Sequence, residues 1–216
     1  MTFLLEAKPS IANHYIAELR DLNIQKDRLR FRRNMERIGE ILSYEISKTF
    51  EYEDTAVDTQ LGTAHTSLAR DRIVIATILR AGLSLHQGLL NYFDKADNAF
   101  ISAYRKHHKD GSFEISLEYV SCPDLNDCIL IISDPMLATG ASMDVTLKEL
   151  HQYGKPKAIH IVTAIAATTG LEYIERRYPS AQIWIGALDE ELTAKSYIVP
   201  GLGDAGDLAY GPKLQD

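Results

Sequence analysis

Cysteine is nearly missing from this chain, with only Cys122 and Cys128 present. Their spacing fits neither a Cys-x-x-Cys redox pair nor a zinc knuckle, so a disulfide scaffold and a thiolate metal centre are excluded and two idle thiols are expected. Long apolar runs are missing too. No stretch approaches the roughly 18 apolar residues of a membrane span. Glu6 and Lys8 interrupt the apolar start near Met1, so nothing there reads as a signal peptide. A cytoplasmic address and no membrane partner are expected. Cations are outnumbered, with 23 Lys and Arg against 30 Asp and Glu and a formal charge of −7. Duplex binding draws most of its affinity from cationic contacts, so a wide nucleic-acid footprint is disfavoured and no nucleic-acid partner is expected. Neither Gly-x-Gly-x-x-Gly nor a Gly-Lys-Ser/Thr P-loop occurs, which removes the two commonest nucleotide fingerprints.

What is present is a sizeable core. The chain has 216 residues, 45% hydrophobic and 25% charged, which suits one globular domain over 1–216. Its organising stretch runs from Ile129 to Ser142, I-L-I-I-S-D-P-M-L-A-T-G-A-S. An unbroken apolar run that empties into a polar turn reads as a buried parallel strand with Asp134 at its carboxyl end. Ala138, Thr139, Gly140, Ala141 and Ser142 form a small-residue arc before a helix. Small side chains admit close approach to backbone N–H groups, and the helix start adds donors and a positive dipole end. This combination suits a phosphate.

Taken in order, the pattern predicts a helix over 13–19 and an amphipathic helix over 34–49, where Ile38, Ile41, Leu42 and Ile46 recur at helical spacing. That helix packs on the core or on a partner subunit, and suggests a homodimer or larger. Between them lie Lys26, Arg28, Arg30, Arg32 and Arg33, for which a solvated helix face or subunit contact is favoured over a phosphate site. Residues 52–65 read as a hairpin turning at Gly62, outside the main sheet. Strands are predicted over 73–79, 99–104, 115–120, 158–166 and 183–188. Helices are predicted after Leu83, from Met143 to a stop at Gly154, and over 168–177. This alternation argues for an α/β fold with a mainly parallel, doubly wound sheet. Trp184 and the tyrosines read as packing or interface residues.

Arg80, with Ala81 and Gly82, follows the strand over 73–79, at the edge where open α/β sheets bind ligands. On residue type alone a surface arginine at a turn is equally good. The strand over 99–104 ends at Arg105, followed by Lys106, His107, His108, Lys109, Asp110 and Gly111. That basic loop suits either a polyanion or plain solvent. Near the end comes Y-I-V-P-G-L-G-D-A-G-D, Tyr197 to Asp207. Its glycines and proline force an irregular backbone that carries two carboxylates. A Ca²⁺ loop would need more oxygen ligands at closer spacing.

Four strings, I-L-R-A-G, Y-R, D-P-M-L-A-T-G and Y-I-V-P-G-L-G-D-A-G-D, occur in the order found in uracil phosphoribosyltransferases. The chain resembles that branch of the type I phosphoribosyltransferases from about Leu42 onward. The first thirty residues, the loop after Arg105, Ala141 in place of a second glycine, and Leu208, Ala209 and Tyr210 depart from the pattern. The resemblance implies transfer of the 5-phosphoribosyl group from phosphoribosyl diphosphate (PRPP) to uracil, giving UMP and diphosphate in pyrimidine salvage. It implies helices over 1–50 and a base-binding hood over 190–216.

It also implies that Arg80 and Arg105 bind the diphosphate side of PRPP. Asp134 would hold the ribose, with Pro135, Met136, Leu137, Ala138, Thr139, Gly140, Ala141 and Ser142 around the 5′-phosphate. Ile198, Gly203, Asp204 and Ala205 would frame uracil, and Asp204 would reach PRPP or its metal. Mg²⁺ is the implied cofactor, carried mainly by PRPP, and GTP is a possible effector. No general base is evident. Two alternatives stand: a phosphoribosyltransferase for another base, and a PRPP- or UMP-sensing regulator that binds RNA through Lys26 to Arg33 on the same fold.

Overall fold

The computed structural model describes residues 1–107 and 113–214, the side chains of 104–107 and 113–116 excepted. Among them the first half of the chain forms β1 (Thr2–Leu4), α1 (Ile11–Arg20), α2 (Arg28–Ser47), β2 (Tyr52–Thr59), β3 (Gly62–Ala69), β4 (Ile73–Leu79), α3 (Leu83–Tyr92), β5 (Asp97–His107) and β6 (Phe113–Ser121). The second half forms β7 (Ile129–Ser133), β8 (Met136–Leu137), α4 (Ala141–Leu150), β9 (Ala158–Ala167), α5 (Thr168–Arg177), β10 (Gln182–Asp189), β11 (Glu191–Leu192), β12 (Ile198–Val199) and α6 (Ala205–Tyr210).

The main sheet runs β1-β10-β9-β7-β4-β5-β6, with β8 added beside β9. Every described pairing in it is parallel except β5 with β6. This is the expected mainly parallel α/β fold. Alternate side chains of one strand enter opposite cores, as the two-residue period of a strand requires. In β4, Ile75 joins a core with Phe31, Met35, Ile38, Leu42, Leu85 and Trp184. Val74 and Ala76 join the other, with Leu130, Ile132, Leu147, Leu150, Leu171 and Ile174. Burial on both faces explains why the central strands read as unbroken apolar runs.

Several boundaries differ from expectation. The helix expected over 34–49 begins at Arg28, because Asp27 caps it, its carboxylate accepting from the N–H groups of Leu29 at 3.0 Å and Arg30 at 3.1 Å. The run of arginines is therefore the first turns of α2, and its members find partners inside the chain. Arg30 pairs with Glu18 at 3.2 Å, Arg33 pairs with Glu36, and Arg32 donates to the Ala209 carbonyl at 2.8 Å. The apolar stripe of α2 is consumed by the chain's own core, with Ile38, Leu42 and Ile46 fully buried. It leaves no ground for a partner subunit on that face. The edge strand β1 was not legible because three residues carry no period.

Trp184 is a packing residue, as expected, and it is paired. Its indole N–H donates to Nδ1 of His160, 3.0 Å away, and both side chains are buried in the sheet interior. Burial pushes His160 down to about 4 from the ordinary 6.5. Nδ1 is occupied as an acceptor, so the neutral ring is the one the core admits. The unfolded chain binds this proton below pH 6.5 and the native one does not until about 4. Stability is thus full above 6.5 and falls as pH drops through that window, by about 3 kcal/mol. His160→Gln should abolish that increment. Urea unfolding at pH 7 and pH 4 checks it, and equal pH dependence in both proteins would refute it.

Candidate active site

In a parallel sheet the carboxyl ends of neighbouring strands lie along one edge, where polar groups can leave the apolar layer. Arg80 follows β4 there, Asp134 follows β7, and Asp189 closes β10. The Asp134 N–H donates to the Val162 carbonyl at 3.1 Å, and its carboxylate accepts from the Met136 N–H at 3.4 Å. The aspartate is half-buried at the rim. Pro135 is buried and turns inward, its carbonyl accepting from Ile165 at 3.0 Å. Met136 and Leu137 extend as β8, an element not anticipated.

Residues 138–140 then turn into α4. Gly140 takes φ 81°, ψ −7°, a left-handed conformation that favours glycine, and Ala141 and Ser142 are already helical. The Ala141 N–H leans on Thr139 Oγ1 at 3.3 Å. Asp134 with residues 136–143 lines a small concavity of about 30 Å³. It lies at the start of α4, where N–H groups without helical partners and the positive dipole end favour an anion.

The glycine-rich tail comes to the same edge through two clamps. Asp189, buried, receives both guanidinium nitrogens of Arg20 at 2.7 and 2.8 Å and the Gly201 N–H at 2.8 Å. Arg20 also donates to the Gly201 carbonyl at 3.2 Å. The second clamp joins the tail to the turn after β4: Arg80 Nη2 lies 2.6 Å from Asp207 Oδ1. Asp204 caps α6, accepting the Asp207 N–H at 2.9 Å, and Tyr210 at the end of α6 bonds Ser84 at 2.8 Å. Ile198 and Ala205 are buried in the core. Gly203 is exposed at φ 96°, with nothing nearer than 3.9 Å where a side chain would stand. Tyr197, Val199, Pro200 and Gly203 are the exposed residues of the tail.

Expectation and structure part company in two places, the strand through Arg105 and the tail. The strand expected to end at Arg105 continues to His107 and pairs with β6, Arg105 opposite Ile115. Arg105 is thus in the body of a long strand, not at its end, because antiparallel pairing with β6 extends it. The basic loop expected at 105–111 lies, for His108, Lys109, Asp110 and Gly111, outside the described residues. The tail expected to be irregular throughout becomes helical at Ala205, since Asp204 supplies the cap. Tyr210, set aside as a departure, is a tether. Asp207, Asp189 and Arg20 were not singled out. Asp207 stood inside a quoted string, whereas nothing local marks the pairing of Arg20 with Asp189, so far along the chain.

A larger cavity of about 420 Å³, lined among others by Arg32, Ser84, His86, Asn98 and Tyr210, opens beside α3. It shares no lining residue with the smaller concavity at Asp134. Among the described residues no group of three or more His, Cys, Asp or Glu is arranged to hold a metal, and no helix is long and apolar enough to cross a membrane.

A mainly parallel sheet whose carboxyl edge carries Asp134, a small-residue turn into a helix and, after the neighbouring strand, Arg80 fits the class expected from the sequence, a phosphoribosyltransferase. A family model described as uracil phosphoribosyltransferase matches residues 7–212. A uracil phosphoribosyltransferase of Porphyromonas gingivalis is 54% identical over 211 residues, covering 97% of this chain and 98% of that protein. One from Thermococcus gammatolerans is 39% identical over 203 residues, covering 93% and 89%. A solved protein of Aquifex aeolicus superposes with TM-score 0.87 at 32% identity, covering 99% of this chain and all 100% of that one. The chain belongs to the uracil phosphoribosyltransferase family.

Asp189→Asn removes the counter-charge of the half-buried Arg20 and turns an amide NH2 towards its donors, and should cost on the order of 3 kcal/mol. Urea unfolding of the two proteins measures it, and a loss under 1 kcal/mol would show that the clamp holds the tail only weakly.

Proposed function

We propose that this chain transfers the 5-phosphoribosyl group of PRPP to N1 of uracil, releasing diphosphate and forming UMP. The observation that carries this reading is the meeting of three chemistries on one sheet edge. The turn over 138–142 offers N–H groups to the 5′-phosphate. Asp134 offers carboxylate oxygens to the ribose hydroxyls. The outward backbone of 203–204 offers a donor and acceptor edge to a small neutral ring, which rigid backbone can match without a long side chain.

The barrier lies in breaking the C1–O bond while positive charge grows on the ribose ring. Side chains lower it by aligning the reactants and by neutralising the leaving group. Arg80 supplies one guanidinium, aimed by its bond to Asp207, and Arg105 supplies the second. Asp134 stands beside the ring, where its negative charge favours the developing cation. Ile198 and Ala205, with Gly203 between them in sequence, form the base-side wall, and Asp204 reaches towards PRPP. Mg²⁺, arriving with PRPP, would neutralise diphosphate charge. The carboxylates of Asp134 and Asp204 are oxygen donors of the kind it takes, and a metal that brings its own phosphate and water ligands needs few from the protein.

A cytoplasmic address, a homodimer or larger assembly and activation by GTP belong to the same proposal. What supports assembly is the β2–β3 hairpin, a two-stranded sheet of its own with Tyr52, Val57, Leu61 and Leu68 exposed. Light scattering tests the assembly, and turnover with and without GTP tests the effector.

The direct test is conversion of labelled uracil to UMP by the purified chain, with PRPP and Mg²⁺ present and each omitted in turn, and with hypoxanthine as competitor. Product that requires both, unaffected by hypoxanthine, is expected. Asp134→Asn and Arg105→Ala should each fold and lose at least tenfold in turnover, about 1.4 kcal/mol or more of transition-state stabilisation. Unchanged rates in both variants would remove these assignments.

A further inference from the structure

The phosphate turn has a floor, and the floor is tied to the helix that the turn begins. A side chain at Gly140 would stand 2.8 Å from Cδ1 of Tyr173, 3.2 Å from Cγ1 of Ile174 and 3.3 Å from the Gly170 carbonyl. One at Gly170 would meet the carbonyls of Ala138 at 2.4 Å and Leu137 at 2.8 Å. The first turns of α5 thus lie directly against the turn over 138–140, and Tyr173 is the ring beneath its left-handed residue.

One turn into α4, the Asp144 N–H donates to the Gly140 carbonyl at 2.9 Å. The Asp144 carboxylate is buried and saturated. One oxygen accepts from the Tyr173 hydroxyl at 3.0 Å and Lys148 Nζ at 2.8 Å. The other accepts from Arg177 Nε at 2.6 Å and the Tyr178 hydroxyl at 2.8 Å. Burial alone would push this carboxyl up, yet its four donors together hold it below the ordinary carboxylate range. A carboxylate so near an anion seat works against phosphate unless its charge is cancelled, and Arg177 and Lys148 cancel it. What remains is geometry: Gly140, Asp144 and the Tyr173 ring form a closed circuit of contacts that sets the rotation of α4 against α5.

We propose that Asp144 and Tyr173 are positioning residues for the phosphate turn, holding its N–H groups in the arrangement that receives the 5′-phosphate of PRPP. The inference rests on the function proposed above. It assigns to the pair an effect at one end of the substrate only. The side-chain hydrogen bonds described for Asp144 and Tyr173 stay within α4, α5 and Tyr178, and none goes to Arg80 or to the base-side segment 198–205.

The test uses the full-length enzyme and two part-substrates. Ribose 5-phosphate carries the 5′-phosphate without diphosphate, and inorganic diphosphate carries the opposite end. Tyr173→Phe removes one hydroxyl and leaves the ring under Gly140, while Asp144→Asn replaces the acceptor with a near-isostere. In both, the KM for PRPP and the inhibition constant of ribose 5-phosphate should rise five- to twentyfold. The inhibition constant of diphosphate and the KM for uracil should stay within twofold. Tyr178→Phe removes another donor to the same carboxylate without a ring at Gly140, and should shift ribose 5-phosphate by less than twofold. If Asp144→Asn does not fold, Tyr173→Phe decides alone.

Unchanged ribose 5-phosphate binding in Tyr173→Phe overturns the proposal. Equal weakening of diphosphate, or an equal effect of Tyr178→Phe, overturns it as well, since a merely structural role would act on all three. Calorimetric titration of ribose 5-phosphate needs no base, so it separates the two claims. Wild-type protein that binds it yet makes no UMP defeats the functional reading and not this one.

Discussion

A strand covered on both faces has nowhere to keep a charge except its ends, and most of this molecule follows from that constraint. β4, β7 and β9 lie mid-sheet between two apolar cores, and an unpaired charge among their side chains would cost several kcal/mol. The charged groups of β4, β7 and β10 along this edge therefore sit at or beyond the last apolar residue of the strand. Arg80 follows Leu79, Asp134 follows Ser133, and Asp189 ends β10. Parallel pairing puts these ends on one edge, so separate loops become one site without any of them being near another in sequence.

The same constraint makes the loops dependent on clamps. A glycine-rich tail free to bend cannot present a fixed hydrogen-bonding edge, because the entropy of ordering it would be charged against binding. Here two ion pairs restrain it. Arg20 with Asp189 fixes Gly201 to the end of β10, and Arg80 with Asp207 fixes α6 to the turn after β4. The turn over 138–140 is braced differently, by close packing on α5, where Gly140 and Gly170 leave no room for a side chain.

How much of this was legible depended on whether the signal was local. The central strands were read within a residue or two because double-sided burial writes itself as an apolar run. The phosphate turn was visible because small residues and a helix start adjoin in sequence. Boundaries failed where a capping residue acted unannounced, as Asp27 does for α2 and Asp204 for α6. The strand through Arg105 was cut short because its extension depends on a partner strand, not on its own composition.

The sequence by itself determined the α/β alternation, the strands buried on both faces, the position of Asp134 and its small-residue turn, and the family, since four motifs in order carry that information along the chain. Tertiary structure alone decided which distant residues meet. Arg20 and Asp189, Arg80 and Asp207, Asp144 and Tyr173 are each far apart in sequence or lie on separate helices, and no periodicity links them. Pairing across a fold is set by where rigid elements pack, and an isolated charge carries no mark of the partner that packing will bring to it.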